Sequence, residues 1–152
     1  MRYHQENCSV ELSVRLLCEM ALRGGDLGGY RPDAEARADG AAVHRKLQAE
    51  AGGFYNAEVT LQNTTLYHDL HFSVSGRADG VIRRADGVEV DEIKCVRGAA
   101  FYAPPDALHL AQLKCYAYFL ALRDGLDHIH GRLTYYHVET KKTRYHRYHF
   151  QT

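Results

Sequence analysis

The sequence predicts an α/β fold of the α+β sandwich kind, with helices flanking one mixed β-sheet. Three observations predict it. Segments of helical and of period-two hydrophobic spacing follow one another in the order α-α-β-β-β-α-β-β. The middle and C-terminal thirds are rich in β-branched and aromatic residues bounded by turn signals. The chain has 152 residues, 45% hydrophobic and 25% charged, which is the composition of one globular domain spanning 1–152.

Each element has a local reason. Glu11 to Arg23 carries Leu12, Leu16, Cys18, Met20 and Leu22 at helical spacing, and the GGDLGG run at Gly24 to Gly29 stops it. A second helix is expected from about Asp33 to Glu50, capped by Asp33 after Pro32 and ended by Gly52-Gly53. Gly40 within it costs up to about 1 kcal/mol relative to Ala. Strands follow at Phe54 to Leu61, Leu70 to Ile82 and Gly87 to Val96, the last two joined by an Ala85-Asp86-Gly87 turn. Arg97 to Asp106 holds Gly98 and Pro104-Pro105 and reads as a loop. Ala107 to Arg123 is the strongest helix, with Leu108, Ala111, Cys115, Phe119 and Leu122 as its apolar stripe. His130 to Val138 and Thr143 to Phe150 read as a last hairpin, turning at about Glu139 to Lys142.

Composition excludes several classes. Lys+Arg and Asp+Glu both number 19, so the formal charge is zero and a purely electrostatic nucleic-acid binder is ruled out. No apolar run reaches the roughly 18 residues of a spanning helix. The polar N-terminus lacks the apolar core of a signal peptide. The four Cys show no CxxC pair, so they read as reduced thiols of a cytoplasmic protein.

The central hairpin carries the chemistry. Alternation puts Glu92 and Lys94 on one face of their strand, with Asp91 and Ile93 on the other. A four-residue loop at Arg84 to Gly87 sets Asp79 opposite Glu92; a two-residue loop at Asp86-Gly87 sets it opposite Lys94. Either register gathers Asp79, Glu92 and Lys94 on the face that also holds Val81, Val88 and Val90. Two carboxylates and a Lys beside an apolar surface are costly unless a cation lies between the acids, and a divalent metal is the natural resolution. Asp91, on the opposite face, reads as a solvated or sheet-edge carboxylate.

GRADG followed by DEIK resembles the signature of the PD-(D/E)XK nuclease superfamily, with Asp79 as the first acid and Glu92-Ile93-Lys94 as the second motif. Gln112 and Tyr116 in QLKCY are similar to the QxxxY motif of the RecB-like branch, which includes lambda exonuclease-like and CRISPR-adaptation nucleases. His44 in GAAVHRKLQ resembles that branch's upstream helical His. The resemblance runs from Val14 to about Phe150. SVRLLCEMALRGGDL, HRKLQ, GRADGVI and HLAQLKCYAYFLA together look like the nuclease domain found ahead of DinG/XPD-like bacterial helicases. The chain ends about where such a helicase would begin, so an excised domain or a stand-alone relative is expected.

The resemblance implies a restriction-endonuclease-like core and hydrolysis of DNA phosphodiesters to 5′-phosphate products, exonuclease-like, in repair, recombination or processing. It implies one or two Mg²⁺ or Mn²⁺ ions held by Asp79, Glu92, the Ile93 carbonyl and His44. Lys94 would orient or deprotonate water, or stabilise the phosphate. Beside two carboxylates its ammonium form is favoured, so the electrostatic role is preferred. Gln112 and Tyr116 would contact DNA or support the site. Many RecB-like relatives carry one upstream Cys and three near the C-terminus for an iron–sulfur cluster; no Cys follows Cys115, so no cluster is expected. A non-catalytic DNA-docking module for a helicase partner, and an RNA-directed nuclease, are the competing readings.

Other residues have blander readings. Ala-Asp-Gly also occurs at Asp39 and Asp86, but only Asp79 lies within a strand opposite the second acid. Lys114 points away from the Gln112–Tyr116 pair and reads as solvated, and Glu58 is a candidate extra carboxylate. His128, His130, His137, His146 and His149 stand with Tyr135, Tyr136, Tyr145 and Tyr148; a zinc site is conceivable, but most fall on alternating strand positions without ligand spacing, so they read as the polar surface of the last hairpin. Arg123 to Thr152 holds six Lys/Arg against three Asp/Glu, and basic and aromatic side chains together could track a nucleic-acid strand.

Overall fold

β4, at Leu70–Arg84, is the axis of the fold. In the computed structural model, which describes residues 1–22 and 34–152 and the side chains of all these except 34–39, seven strands form one mixed sheet. The other strands are β1 (Arg2–His4), β2 (Ser9–Ser13), β3 (Tyr55–Tyr67), β5 (Gly87–Val96), β6 (His128–His137) and β7 (Thr143–Gln151). The helices are α1 (Val14–Ala21), α2 (Ala34–Glu50) and α3 (Ala107–Asp124). The α+β sandwich read from the sequence is the architecture observed.

β4 has two edges. β3 pairs antiparallel along one of them, from Tyr67↔Leu70 to Tyr55↔Ile82. Two strands share the other edge. β2 runs parallel to it as far as Ser13↔Ser75, and β5 runs antiparallel from Gly80↔Asp91 to Arg84↔Gly87. Residues 76–79 therefore face a fork where neither strand pairs. β2 leaves because Ser13 caps α1, its hydroxyl accepting from the Leu16 N–H at 3.1 Å. Beyond β5 lie β6, parallel, and β7, antiparallel.

α3 packs on β5 and β6, and α2 meets β4 and β5. Val81, Val90, Leu133 and Tyr135 join Leu113, Ala117 and Leu120 of α3 in the core. Asp106 caps α3, accepting from Leu108 N–H, and Gly125 ends it in the left-handed conformation at φ 64°.

Several boundaries differ from the sequence reading. The first helix begins at Val14, because residues 9–13 are drawn into the sheet as β2. β1 is an additional short strand, and the loop after β5 holds one 3₁₀ turn at Gly98–Phe101. The buried stripe of α3 is Gln112, Leu113, Tyr116, Ala117, Phe119, Leu120 and Ala121. Of the expected stripe, Leu122 is 50% exposed while Leu108, Ala111 and Cys115 are half-buried, so the true stripe is rotated by about one position. Tyr135, Tyr136 and His137 are buried because β6 is an inner strand; the polar-surface reading holds for His128 at the start of β6 and for parts of β7. The expected cap Asp33 and the Gly24 to Gly29 stop lie outside the described residues.

Candidate active site

The turn at Ala85-Asp86 leaves Arg84 paired with Gly87, whose φ of 144° suits glycine. That register places Asp79 beside Glu92, the first of the two alternatives. Gly80↔Asp91 is the last ladder pair, and the next step is made by a side chain. Asp79 Oδ2 accepts a 2.7 Å hydrogen bond from the Ile93 backbone N–H. The carboxylate thus lies inside the fork and replaces a strand. A residue's N–H and C=O point to the same edge of a strand, so the Ile93 carbonyl also faces the fork.

Four elements converge on it. From α2, His44 Nδ1 lies 3.0 Å from Asp79 Oδ1. Burial by itself would lower the His44 pKa, but the hydrogen bond to Asp79 and the charge of that carboxylate carry it above the ordinary value. From β5, Lys94 Nζ lies 3.0 Å from Glu92 Oε1. From α3, the Gln112 carbonyl oxygen accepts from Lys94 Nζ at 2.6 Å. Glu92 is buried, which pushes its carboxyl up to about 7; Lys94 opposes this and the Asp79 charge adds to it. Glu92 Oε2 is buried with no hydrogen-bond partner.

Tyr116 closes one side. A Cβ on Gly76, at the fork, would lie 2.5 Å from the Tyr116 hydroxyl oxygen, so the strand has no side chain where Tyr116 lies. Gln112 and Tyr116 are one turn apart on α3 and both are buried. Lys114 is exposed, as its position on the helix predicts. The structure therefore brings together His44, Asp79, Glu92, Ile93, Lys94, Gln112 and Tyr116.

Glu58 stands next to this group rather than in it. It is exposed, in the left-handed conformation at φ 57°, and lies 3.7 Å from Arg77. Its Oε1 accepts from Gln48 Nε2 at 2.9 Å, and Gln48 Nε2 also donates to the Asp79 backbone carbonyl at 2.9 Å. Gln48 is a site residue that the sequence reading passed over. Its signal was present, four residues after His44 on the same helical face.

Asp91 corrects an expectation. It is 1% exposed, not solvated. Its carboxylate accepts from the Tyr55 hydroxyl (2.6 Å), from Arg132 Nε and Nη2 (3.1 and 3.0 Å) and from the Thr134 hydroxyl (2.5 Å). Tyr55 crosses β4 over Gly80, where a side chain would collide with the ring. This network locks the back of β5 while Glu92 and Lys94 face the front. Its partners come from two other strands, β3 and β6, so no local pattern announces it.

As the side chains stand, Lys94 covers one oxygen of Glu92 and His44 one oxygen of Asp79. Among the described residues, no set of three or more His, Cys, Asp or Glu side chains is grouped to hold an ion. No described helix is long and apolar enough to cross a membrane. Cys18 and Cys115 place their sulfurs 3.8 Å apart between α1 and α3.

No protein-family model and no curated protein matches the sequence. The fold matches 21 solved chains. Among them is the crystal structure of SSO0001, with a TM-score of 0.64 at 20% identity, over 99% of this chain and 70% of that one. At that identity the likeness speaks for the fold alone.

Proposed function

We propose that this protein is a Mg²⁺- or Mn²⁺-dependent nuclease that hydrolyses DNA phosphodiester bonds, a RecB-like member of the PD-(D/E)XK superfamily. The observation that carries the reading is the convergence on one sheet fork of two carboxylates, a Lys, a His and a Gln from four elements. The residues fit a hard divalent cation. Glu92 keeps a buried oxygen without a partner, close enough to Asp79 for that charge to raise its pKa. Asp79, Glu92 and the Ile93 carbonyl offer oxygen donors, and His44 adds an imidazole. When bound, such an ion supplies charge stabilisation at the scissile phosphate and acidifies the attacking water.

The chain's own groups do the rest. Lys94 has three N–H donors, and Glu92 and Gln112 take two of them. The third remains for a phosphate oxygen or the attacking water. Held at both acceptors, the ammonium is preorganised where charge develops. Gln112 and Tyr116 position the strand and the Lys. The same proposal includes exonuclease-like action leaving 5′-phosphate, a cytoplasmic setting, and a helicase partner that supplies single strands.

The test is cleavage of labelled single- and double-stranded DNA and RNA with Mg²⁺, Mn²⁺ or EDTA, by the wild type, Asp79→Ala and Lys94→Ala. Metal-dependent DNA cleavage lost in both variants is expected. Cleavage that survives both substitutions would overturn the assignment. DNA binding without any cleavage would favour a docking module, and RNA cleavage alone an RNA-directed enzyme.

A further inference from the structure

β3 leaves one side of the sheet unprotected. It has 13 residues, it pairs β4 along its whole length, and no described strand pairs its outer edge. Such an edge is a row of unpaired N–H and C=O groups, ready to take another strand. From Val59 to Tyr67 it carries no charge, no Pro and no Gly, and Leu66 and Tyr67 are exposed. The other two edge strands have the features that prevent such pairing. β1 has three residues, and β7 carries Arg144 and Arg147.

The ladder fixes which groups of β3 point outward. The Arg83 N–H donates to the Phe54 carbonyl at 3.4 Å, in line with the register Tyr55↔Ile82. Hydrogen-bonded pairs alternate along an antiparallel ladder. The register runs unchanged past Glu58, from Ala57↔Gly80 to Val59↔Ala78. Even-numbered residues therefore bond to β4, and Val59, Leu61, Asn63, Thr65 and Tyr67 turn their N–H and C=O outward.

This segment is complementary to itself. An antiparallel copy that overlaps the whole uncharged stretch has Asn63 on the two-fold axis. Val59 then meets Tyr67 and Leu61 meets Thr65, so every outward residue meets another outward residue. About ten backbone hydrogen bonds can close. Val59 with Tyr67 is a favourable β-branched and aromatic cross-strand pair. Just beyond the stretch Glu58 falls opposite His68, so no like charges face each other.

We propose that this protein forms a two-fold dimer in which β3 pairs antiparallel with β3 of a second copy, joining both sheets into one. A two-fold contact uses the same edge of both copies and closes on itself, so the assembly stops at two. The dimer stands apart from the nuclease reading.

Sedimentation equilibrium of the full chain, from about 5 to about 200 µM, tests it. The mass should rise toward twice that of the chain. Thr65→Pro removes an outward N–H and no bond to β4, so it should fold as the wild type does and weaken association at least about tenfold. Circular dichroism and the unfolding midpoint check its fold. Asn63→Lys and Asn63→Glu each set like charges face to face on the axis, and each should be monomeric over that range. Mixed one to one, these two should regain the dimer. A monomeric wild type, dimers of both Asn63 variants as strong as the wild type's, or a mixture that stays monomeric overturns the proposal.

Discussion

Asp79 Oδ2 accepts the Ile93 backbone N–H at 2.7 Å, inside the fork left where β2 and β5 divide the edge of β4. One side chain both completes the sheet and presents its second oxygen to His44. Asp79→Asn keeps an acceptor for the Ile93 N–H, so stability should fall by no more than about 1 kcal/mol. Metal-dependent cleavage should nonetheless be lost, because the charge is gone. Urea unfolding and a cleavage assay on the same preparation separate the two effects.

Lys94 is held by Glu92 and Gln112. Lys94→Ala should lower the cleavage rate by about 10²–10³-fold, the cost of removing one preorganised donor. Gln112→Leu leaves the ammonium in place but frees one of its N–H groups, so the rate should fall less while stability drops by about 1–3 kcal/mol. Equal rate losses in the two variants would contradict a positioning role for Gln112.

Gly76 faces the Tyr116 hydroxyl. Gly76→Ala must push that ring away from the fork, at about 1–3 kcal/mol. Gly76→Ala combined with Tyr116→Phe should recover part of the loss, because the atom in the way is the Tyr116 oxygen. Denaturation midpoints of the single and double variants measure the coupling.

Asp91 holds Arg132, Tyr55 and Thr134 behind the strand that carries Glu92 and Lys94. Asp91→Ala leaves the Arg132 guanidinium without its bidentate partner and should cost about 3–5 kcal/mol. Chemical unfolding checks it. A cost below about 1 kcal/mol would mean the network is not coupled to folding.

His109 gives a pH signature. The Asp106 N–H donates to the Tyr135 hydroxyl oxygen, so the hydroxyl proton is free to go to His109 Nδ1, 2.8 Å away, which accepts only in the neutral form. Burial, with the charge of Lys94 adding, lowers the His109 pKa from 6.5 to about 4. The unfolded chain then binds more protons than the folded one between these values. The contribution is present above about 6.5 and is lost as pH falls toward about 4. His109→Gln should flatten this part of a stability-against-pH profile relative to the wild type.

Part of the site was legible because it obeys a local rule. Asp79, Glu92 and Lys94 fall on one face by strand alternation in either hairpin register, and Gln112 and Tyr116 by helical spacing. Gln48 was equally within reach from His44. Asp91 was not, because its partners Tyr55, Arg132 and Thr134 come from β3 and β6, and burial is a property of what packs above a residue. The α3 stripe was misplaced by one position for a related reason. Gln112 is polar, and only its bond to Lys94 explains why it faces inward.

The sequence by itself determined the α+β class, most strands and helices, and which residue types share a face, since these follow from periodicity, turns and caps. The tertiary structure decided the fork. That β2 and β5 would share one edge of β4, that Asp79 would fill the gap between them, and that His44 would reach it from α2 all depend on long-range pairing. The choice between the two hairpin registers was settled by the turn that leaves Arg84 paired with Gly87.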